Sequence, residues 1–404
     1  MKIVFLTDWH SESMGYSDNY LPKELAKLGH EVHLVTSNRQ VYFVKSNSEF
    51  YSRTLEPFLG PGFVEIGTTE RDGVFIHRLD SYEILGRVFV RNLKSKLLEI
   101  KPDIVQSGDV ISWQTYNAGR LKKQLDFSYY LECHTHASVF APARGESRIR
   151  TNLYWKLFKQ TVGKYLSKVI DLCYPISSDA ARITRDFFGI LPEKIVVRSL
   201  GVDCDIFKPK SEVDVNSSRN QIRTRLDLDD EDILCIYTGR LAEEKDPLIL
   251  ARAVSRLRGM GLPFKSLFIG GGPENYMKEI AEEDGSKIIG YVKSSQLPSY
   301  YQASDIAVWP RQESTSQLDA LGCGLPLILG SDIEITERIE GNGYIFEQDS
   351  LGDLVSKLQM MSNEKLRNEL GIASRKKALE LFSWSTIAQL YETDYLVSLN
   401  ARTI

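Results

Sequence analysis

Two cations stand five residues apart in the stretch 236–245, IYTGRLAEEK: Arg240 and Lys245. An apolar β-type run ends at Thr238 and Gly239 makes the turn, so both charges fall at the carboxyl edge of a sheet. There Arg240 offers a planar fork and Lys245 a point charge, a pair suited to neutralising a diphosphate. The plain alternative is two solvated charges on a strand–helix loop. Residues 268–274, FIGGGPE, place Gly270, Gly271 and Gly272 directly after another strand, where backbone can approach a ligand or simply turn tightly. The run is not a GxGxxG fingerprint and no acid follows at the matching place, which disfavours a nicotinamide enzyme. Residues 309–328, WPRQESTSQLDALGCGLPLI, lead from a strand through Glu313, Ser314, Thr315 and Ser316 into a short helix carrying Asp319. Free N–H groups at such a helix start suit a phosphate, and Asp319 has the reach to accept from two ribose hydroxyls. Capping is the plain alternative, with Ser316 as N-cap and Asp319 three positions on, and it is compatible with phosphate binding. In the first half, His134 and His136 follow the strand-like YYLEC; either a substrate-facing histidine or one bonded to backbone fits. A metal pair would need a further ligand, and there is no HExxH and no cysteine cluster.

These groups need strands that end where they begin. Residues 2–7, 31–36, 103–106, 129–132 and 169–174 read as strands, and 20–28 as a helix ending at Gly29. The pattern restarts after residue 200. Strands are expected at 233–237, 266–269, 288–289, 306–309 and 327–329, with helical stretches at 247–258, 274–283, 296–301 and 319–322. Such alternation predicts two α/β domains, each a parallel sheet covered on both faces. The expected boundaries are 1–200 and 201–383, with a polar stretch at 208–220 near the junction. Ligands of open α/β sheets bind beyond the carboxyl ends of the strands, so a cleft between the two domains is the expected site.

Composition narrows the partners. The chain has 404 residues, 42% of them hydrophobic, and a net charge of −4, without the basic surplus of a nucleic-acid binder. No apolar run approaches the roughly 18 residues of a membrane span, and MKIVFLTDWH reads as a first strand rather than a signal peptide. Five cysteines lie far apart with no CxxC pair, as expected of reduced thiols in a cytoplasmic protein. Residues 144–168 carry Arg144, Arg148, Arg150, Lys156, Lys159, Lys164 and Lys168 against Glu146 alone, with Leu153, Tyr154, Trp155, Leu157, Phe158 and Tyr165 interleaved. This stretch suits the anionic inner face of a membrane, contacted peripherally; an ordinary amphipathic helix is the alternative.

Taken in order, Gly239–Arg240…Lys245, Gly270–Gly271–Gly272–Pro273–Glu274, Ile289–Gly290–Tyr291–Val292 and Asp319–Ala320–Leu321…Gly324–Leu325–Pro326 resemble the family 4 retaining glycosyltransferases of the GT-B fold. Residues 200–209, LGVDCDIFKP, are similar to that family's NGVD…F.P stretch, with Leu200 in place of Asn. Residues 382–391, FSWSTIAQLY, resemble its last helix, which crosses back onto the first domain; here that helix would span 384–404. The resemblance covers nearly the whole chain. It implies two Rossmann-like domains facing a central cleft, and metal-independent transfer of a hexose-type sugar from a UDP- or GDP-sugar to a glycan or lipid-linked acceptor. No cofactor is implied. By resemblance, Arg240 and Lys245 hold the donor diphosphate, and Gly239 and Gly271 approach it. Gly290, Tyr291 and Val292 contact the base, Asp319 the ribose, and the N–H groups of Ser314, Thr315 and Ser316 the phosphates. His134 lies near the transferred sugar, and Gly15 marks a glycine-rich loop that here keeps one glycine. The family's first acid would stand eight before Asp319, where this chain has Arg311; Glu313, six before, is assigned that role. A nucleotide-sugar epimerase on the same scaffold, or an inactive nucleotide-sugar binder, are the alternatives. The interdomain and C-terminal motifs speak against the epimerase.

Overall fold

The computed structural model describes residues 1–136, 153–209, 218–333 and 335–403. The basic segment up to residue 152 and the polar junction at 210–217 lie outside the described residues. Two compact units emerge: Met1–Leu200 with Ile387–Ile404, and Gly201–Thr386.

In the first unit one sheet joins β1 (Lys2–Leu6), β2 (Glu31–Ser37), β3 (Gly67–Arg71), β4 (Val74–Leu79), β7 (Ile104–Ser107), β8 (Ser128–Cys133) and β9 (Leu172–Pro175) in the order β3-β4-β2-β1-β7-β8-β9. A separate antiparallel hairpin is formed by β5 (Ser81–Ile84) and β6 (Arg87–Val90). Every neighbour pair in the large sheet is parallel except β3 with β4. Strands such as β1 (KIVFL) and β8 (SYYLEC) are buried almost throughout, as parallel strands covered on both faces must be. The core between sheet and helices gathers Leu6, Leu97, Val105, Phe127, Tyr129, Leu166 and Phe188. The C-terminal helix, Trp384–Thr403, lays its later turns on this unit. Tyr391 and Tyr395 pack on Tyr174 and Tyr130 at ring distances of 4.5 and 4.8 Å. Asp394 meets Arg198 at 2.8 Å and Glu392 meets His30 at 2.8 Å.

The second unit holds β10 (Ile233–Thr238), β11 (Phe264–Ile269), β12 (Ser286–Ile289), β13 (Ile306–Trp309), β14 (Leu327–Gly330) and β15 (Gly343–Phe346), ordered β12-β11-β10-β13-β14-β15 and all parallel. Apart from β3, both sheets share one order, in which the chain winds outward from its first strand and then reverses. The 200–209 stretch gains its reason here. Val202 exchanges backbone bonds with Phe382 and Trp384 (2.7 and 3.2 Å), and a Cβ on Gly201 would stand 2.6 Å from the Trp384 indole. Among the described residues all five cysteines are free thiols. No helix among them is long and apolar enough to cross a membrane.

Candidate active site

In a doubly wound sheet the strand order reverses between two neighbours, and the loops leaving their carboxyl ends diverge to form a crevice. In the second unit those neighbours are β10 and β13, so the sequences after Thr238 and after Trp309 are the ones brought together. Side chains tie the two strand ends. Trp309 Nε1 donates to the Thr238 carbonyl at 3.0 Å, and the Tyr301 hydroxyl lies 2.7 Å from Thr238 Oγ1 and donates to the Ser316 carbonyl at 3.4 Å. The loop after β11 is pressed against the loop after β10. At Gly270 (φ 146°) a Cβ would stand 1.9 Å from the Gly239 carbonyl oxygen, and at Gly272 1.8 Å from that of Leu241. These two glycines are therefore structural. Gly271, the one expected at the site, faces open space.

Lys245 runs inward, and its Nζ donates to the Glu313 carbonyl at 3.2 Å, joining the loop after β10 to the loop after β13. Burial, with Arg240 nearby, holds this ammonium below the usual lysine range. Arg240 differs: its side chain is 63% exposed and ion-pairs with Glu244. From the other side Arg338, buried, donates to the Ser314 carbonyl at 3.0 Å and to Gln317 Oε1 at 2.9 Å. Burial lowers the Arg338 pKa as well, with Glu313 partly opposing the shift. Two cations thus hold the Glu313 and Ser314 carbonyls, and Arg338 the Gln317 side chain as well. Asp319 stands one turn into the helix Ser316–Gly322, and burial pushes its carboxyl up to about 7. The capping alternative does not hold: Thr315 is the N-cap, in helical conformation, with no side-chain capping bond, and the Ser316 N–H is taken by Ser314 Oγ at 3.3 Å. Arg311, at the position of the family's first acid, pairs with Asp349 and lies 3.9 Å from Asp246. Gly290, Tyr291 and Val292 follow β12, two strands from β10, with Tyr291 exposed.

In the first unit the reversal falls between β1 and β7. Asp8 follows β1; burial, with Asp109 beside it, pushes its carboxyl up to about 7. Gly15 adopts φ 70° in the same loop, with the Tyr20 ring 3.7 Å from where its Cβ would be. His134 follows β8. Its Nε2 lies 2.7 Å from Glu132 Oε2, and about a third of its side chain (35%) is exposed. Burial alone would lower its pKa, but the bond to Glu132, with the charges of Asp109 and Asp18, carries it above the ordinary value. His136 instead neighbours Asp179 at 3.8 Å. Sequence reading missed Glu132, Asp8 and Arg338. Glu132 had a signal, since residues two apart on a strand share a face; Arg338, in a charged stretch that looks exposed, had none.

Known proteins align with both units. The family model for Glycosyltransferase Family 4 matches residues 20–206, and that for Glycosyl transferases group 1 matches residues 218–377. Spore coat protein SA of Bacillus subtilis is 31% identical over 346 residues, covering 79% of this chain and 83% of that protein. Sulfoquinovosyl transferase SQD2 of Arabidopsis thaliana is 23% identical, covering 72% of this chain and 56% of its own length. Among solved structures, sucrose-phosphate synthase of Thermosynechococcus elongatus superposes with a TM-score of 0.70 at 16% identity and 99% coverage of both chains. Anabaena Alr3699/HepE, solved with UDP-glucose, superposes at 0.65 and 14% identity, with coverage of 99% of this chain and 100% of its own. The two parallel-sheet units, the crevice-forming loops and these matches agree: the chain belongs to the family 4 glycosyltransferases, glycosyl transferases group 1, and has their GT-B fold.

Proposed function

We propose that this glycosyltransferase moves a hexose-type sugar from a UDP- or GDP-sugar to a hydroxyl of a glycan or lipid-linked acceptor, with retention and without a metal. The observation that carries the proposal is Lys245, whose partly desolvated ammonium bridges to the Glu313 carbonyl where β10 and β13 diverge. A cation so placed is preorganised for a diphosphate and needs little rearrangement when charge develops. Arg240 would exchange Glu244 for the same phosphates. The N–H groups of Ser314 and Thr315 would add donors, with that of Ser316 once it exchanges Ser314 Oγ for a phosphate oxygen; Gly239 and Gly271 would let the diphosphate approach the backbone, and Asp319 would hold the ribose. Gly290–Val292 would contact the base, Glu313 the sugar hydroxyls, Gly15 the phosphates and His134 the transferred sugar. The structure of HepE with UDP-glucose supports a nucleotide-sugar donor here. In the step proposed, the bond from sugar C1 to the diphosphate oxygen breaks while the acceptor oxygen bonds C1 from the same face. The acceptor proton passes to the departing phosphate.

The segment 153–168 supports an enzyme resting on an anionic membrane, which we place at the cytoplasmic face. Leu157 and Phe158 are 57% and 61% exposed beside Lys156, and Leu153 and Tyr154 are exposed too. Trp155 turns inward against Phe188 at 5.6 Å. The test of the transferase reading is nucleotide release without added metal across UDP-, GDP- and ADP-sugars, with a pool of sugar and lipid-linked acceptors. Release from one donor that resists EDTA supports it. Release that EDTA abolishes removes the metal-independent step, and epimerised sugar in place of release removes the transferase.

A further inference from the structure

One chain of buried polar side chains in the first unit ends at His134 and begins on the C-terminal helix. Tyr395 is fully buried, and its hydroxyl donates to Gln106 Oε1. That bond fixes the Gln106 amide: with its oxygen taken by a donor, its Nε2 faces Glu132 and donates to Oε1. Gln106 is itself fully buried, and Glu132 is 5% exposed. The other Glu132 oxygen, Oε2, takes the His134 Nε2–H at 2.7 Å and a longer bond from Ser17 Oγ at 3.4 Å. A carboxylate only accepts, so the proton of His134 sits on Nε2. Among the described residues nothing bonds to its Nδ1, which is left for a substrate.

We infer that Tyr395, Gln106 and Glu132 are positioning residues that hold His134 in one orientation and favour its protonated, doubly donating form, so that docking of the C-terminal helix sets the state of the histidine at the sugar. The inference rests on His134 lying in the sugar site. The groups around it agree in sign. Glu132 comes from β8, Asp109 from the loop after β7, and Asp18, itself bonded to His10 at 2.6 Å, from the first helix, Ser17–Lys27. His136 and Asp179 form a separate pair 3.8 Å apart. A directed imidazolium beside a departing diphosphate would supply a proton-bearing donor without the histidine acting as a base.

The test is a titration of His134 by NMR in the full-length protein with labelled histidine, assigned with His134→Gln. The wild-type ring should titrate above the usual value near 6.5. Glu132→Gln should lower that midpoint by about one unit or more. Tyr395→Phe, the milder change, should lower it by about 0.3 units or more and reduce kcat about threefold or more while donor KM stays within about twofold. Tyr130→Phe is the control. It removes bonds from β8 to the same helix, to Ser398 Oγ at 2.5 Å and to the Asp394 carbonyl at 3.2 Å, but no link of the chain; it should leave the titration unmoved. Equal shifts in Tyr395→Phe and Tyr130→Phe, or none in either, would overturn the inference. A shifted titration with unchanged kcat would instead leave the chain of bonds standing and remove His134 from the sugar site.

Discussion

Replacing Asp319 by Asn should stabilise the second unit and cripple it at once. The Asp319 carboxyl is pushed from 3.8 to about 7 by burial alone, so the folded protein holds a proton that the unfolded chain gives up. Below pH 3.8 both states are protonated and there is no difference. Between 3.8 and 7 the unfolded state alone ionises, and the penalty on the fold grows; above 7 it is fully present. Three units at about 1.4 kcal/mol each give an upper value near 4 kcal/mol, and solvent reaching the half-buried carboxylate reduces it, so about 2–4 kcal/mol is expected at pH 8. Asn removes the ionisation. Its gain over wild type, measured by denaturant unfolding of the nucleotide-free protein, should be under about 1 kcal/mol at pH 4 and rise to about 2–4 kcal/mol at pH 8. The same variant should bind UDP or GDP about tenfold more weakly or worse, because an ionised acceptor of two hydroxyls is lost. A stability difference that is flat from pH 4 to 8, or an Asn variant less stable at pH 8, would refute the burial argument.

Further outcomes follow from named contacts. Arg338→Met should leave the Ser314 carbonyl and Gln317 Oε1 unpaired, cost about 2–4 kcal/mol in unfolding experiments and raise donor KM; Arg338→Lys should not restore either, since one ammonium cannot reproduce the fork. Gly272→Ala should lose about 1–3 kcal/mol against the Leu241 carbonyl, while Gly271→Ala, facing open space, should unfold like wild type. Sedimentation with phosphatidylglycerol vesicles should show binding that weakens with salt and is lost in a Leu157→Asp, Phe158→Asp double variant; binding equal on neutral vesicles would contradict the membrane contact.

Most of the sheets could be read from the sequence because parallel strands are apolar runs. Strand β10, ILCIYT, is buried at every position and stands out in the sequence. Strand β3, GTTER, is exposed at every position and pairs only at an edge, so nothing in its composition separates it from a loop. Strand β4 hid behind His77 and Arg78, polar residues that the fold buries: His77 lies 2.9 Å from His33 and 2.8 Å from Thr68 Oγ1. The loops after β10 and β13 were legible for a topological reason, since residues that follow the two strands at the reversal must converge. The capping alternative at Ser316 fails because the spacing of a cap says nothing of φ and ψ, and Thr315 enters the helix already in helical conformation. The bonds between Tyr395, Gln106 and Glu132 join residues 289 and 26 positions apart, a relation no local pattern carries.

If the β10–β13 crevice binds a nucleoside diphosphate through Lys245, calorimetric titration of UDP and GDP into wild type and Lys245→Ala reads that contact with no acceptor needed. One nucleotide should bind wild type in the presence of EDTA. Lys245→Ala, still folded by circular dichroism, should bind it about a hundredfold more weakly, a loss of roughly 3 kcal/mol for a desolvated charge pair. Binding by Lys245→Ala within threefold of wild type would remove Lys245 from the diphosphate site.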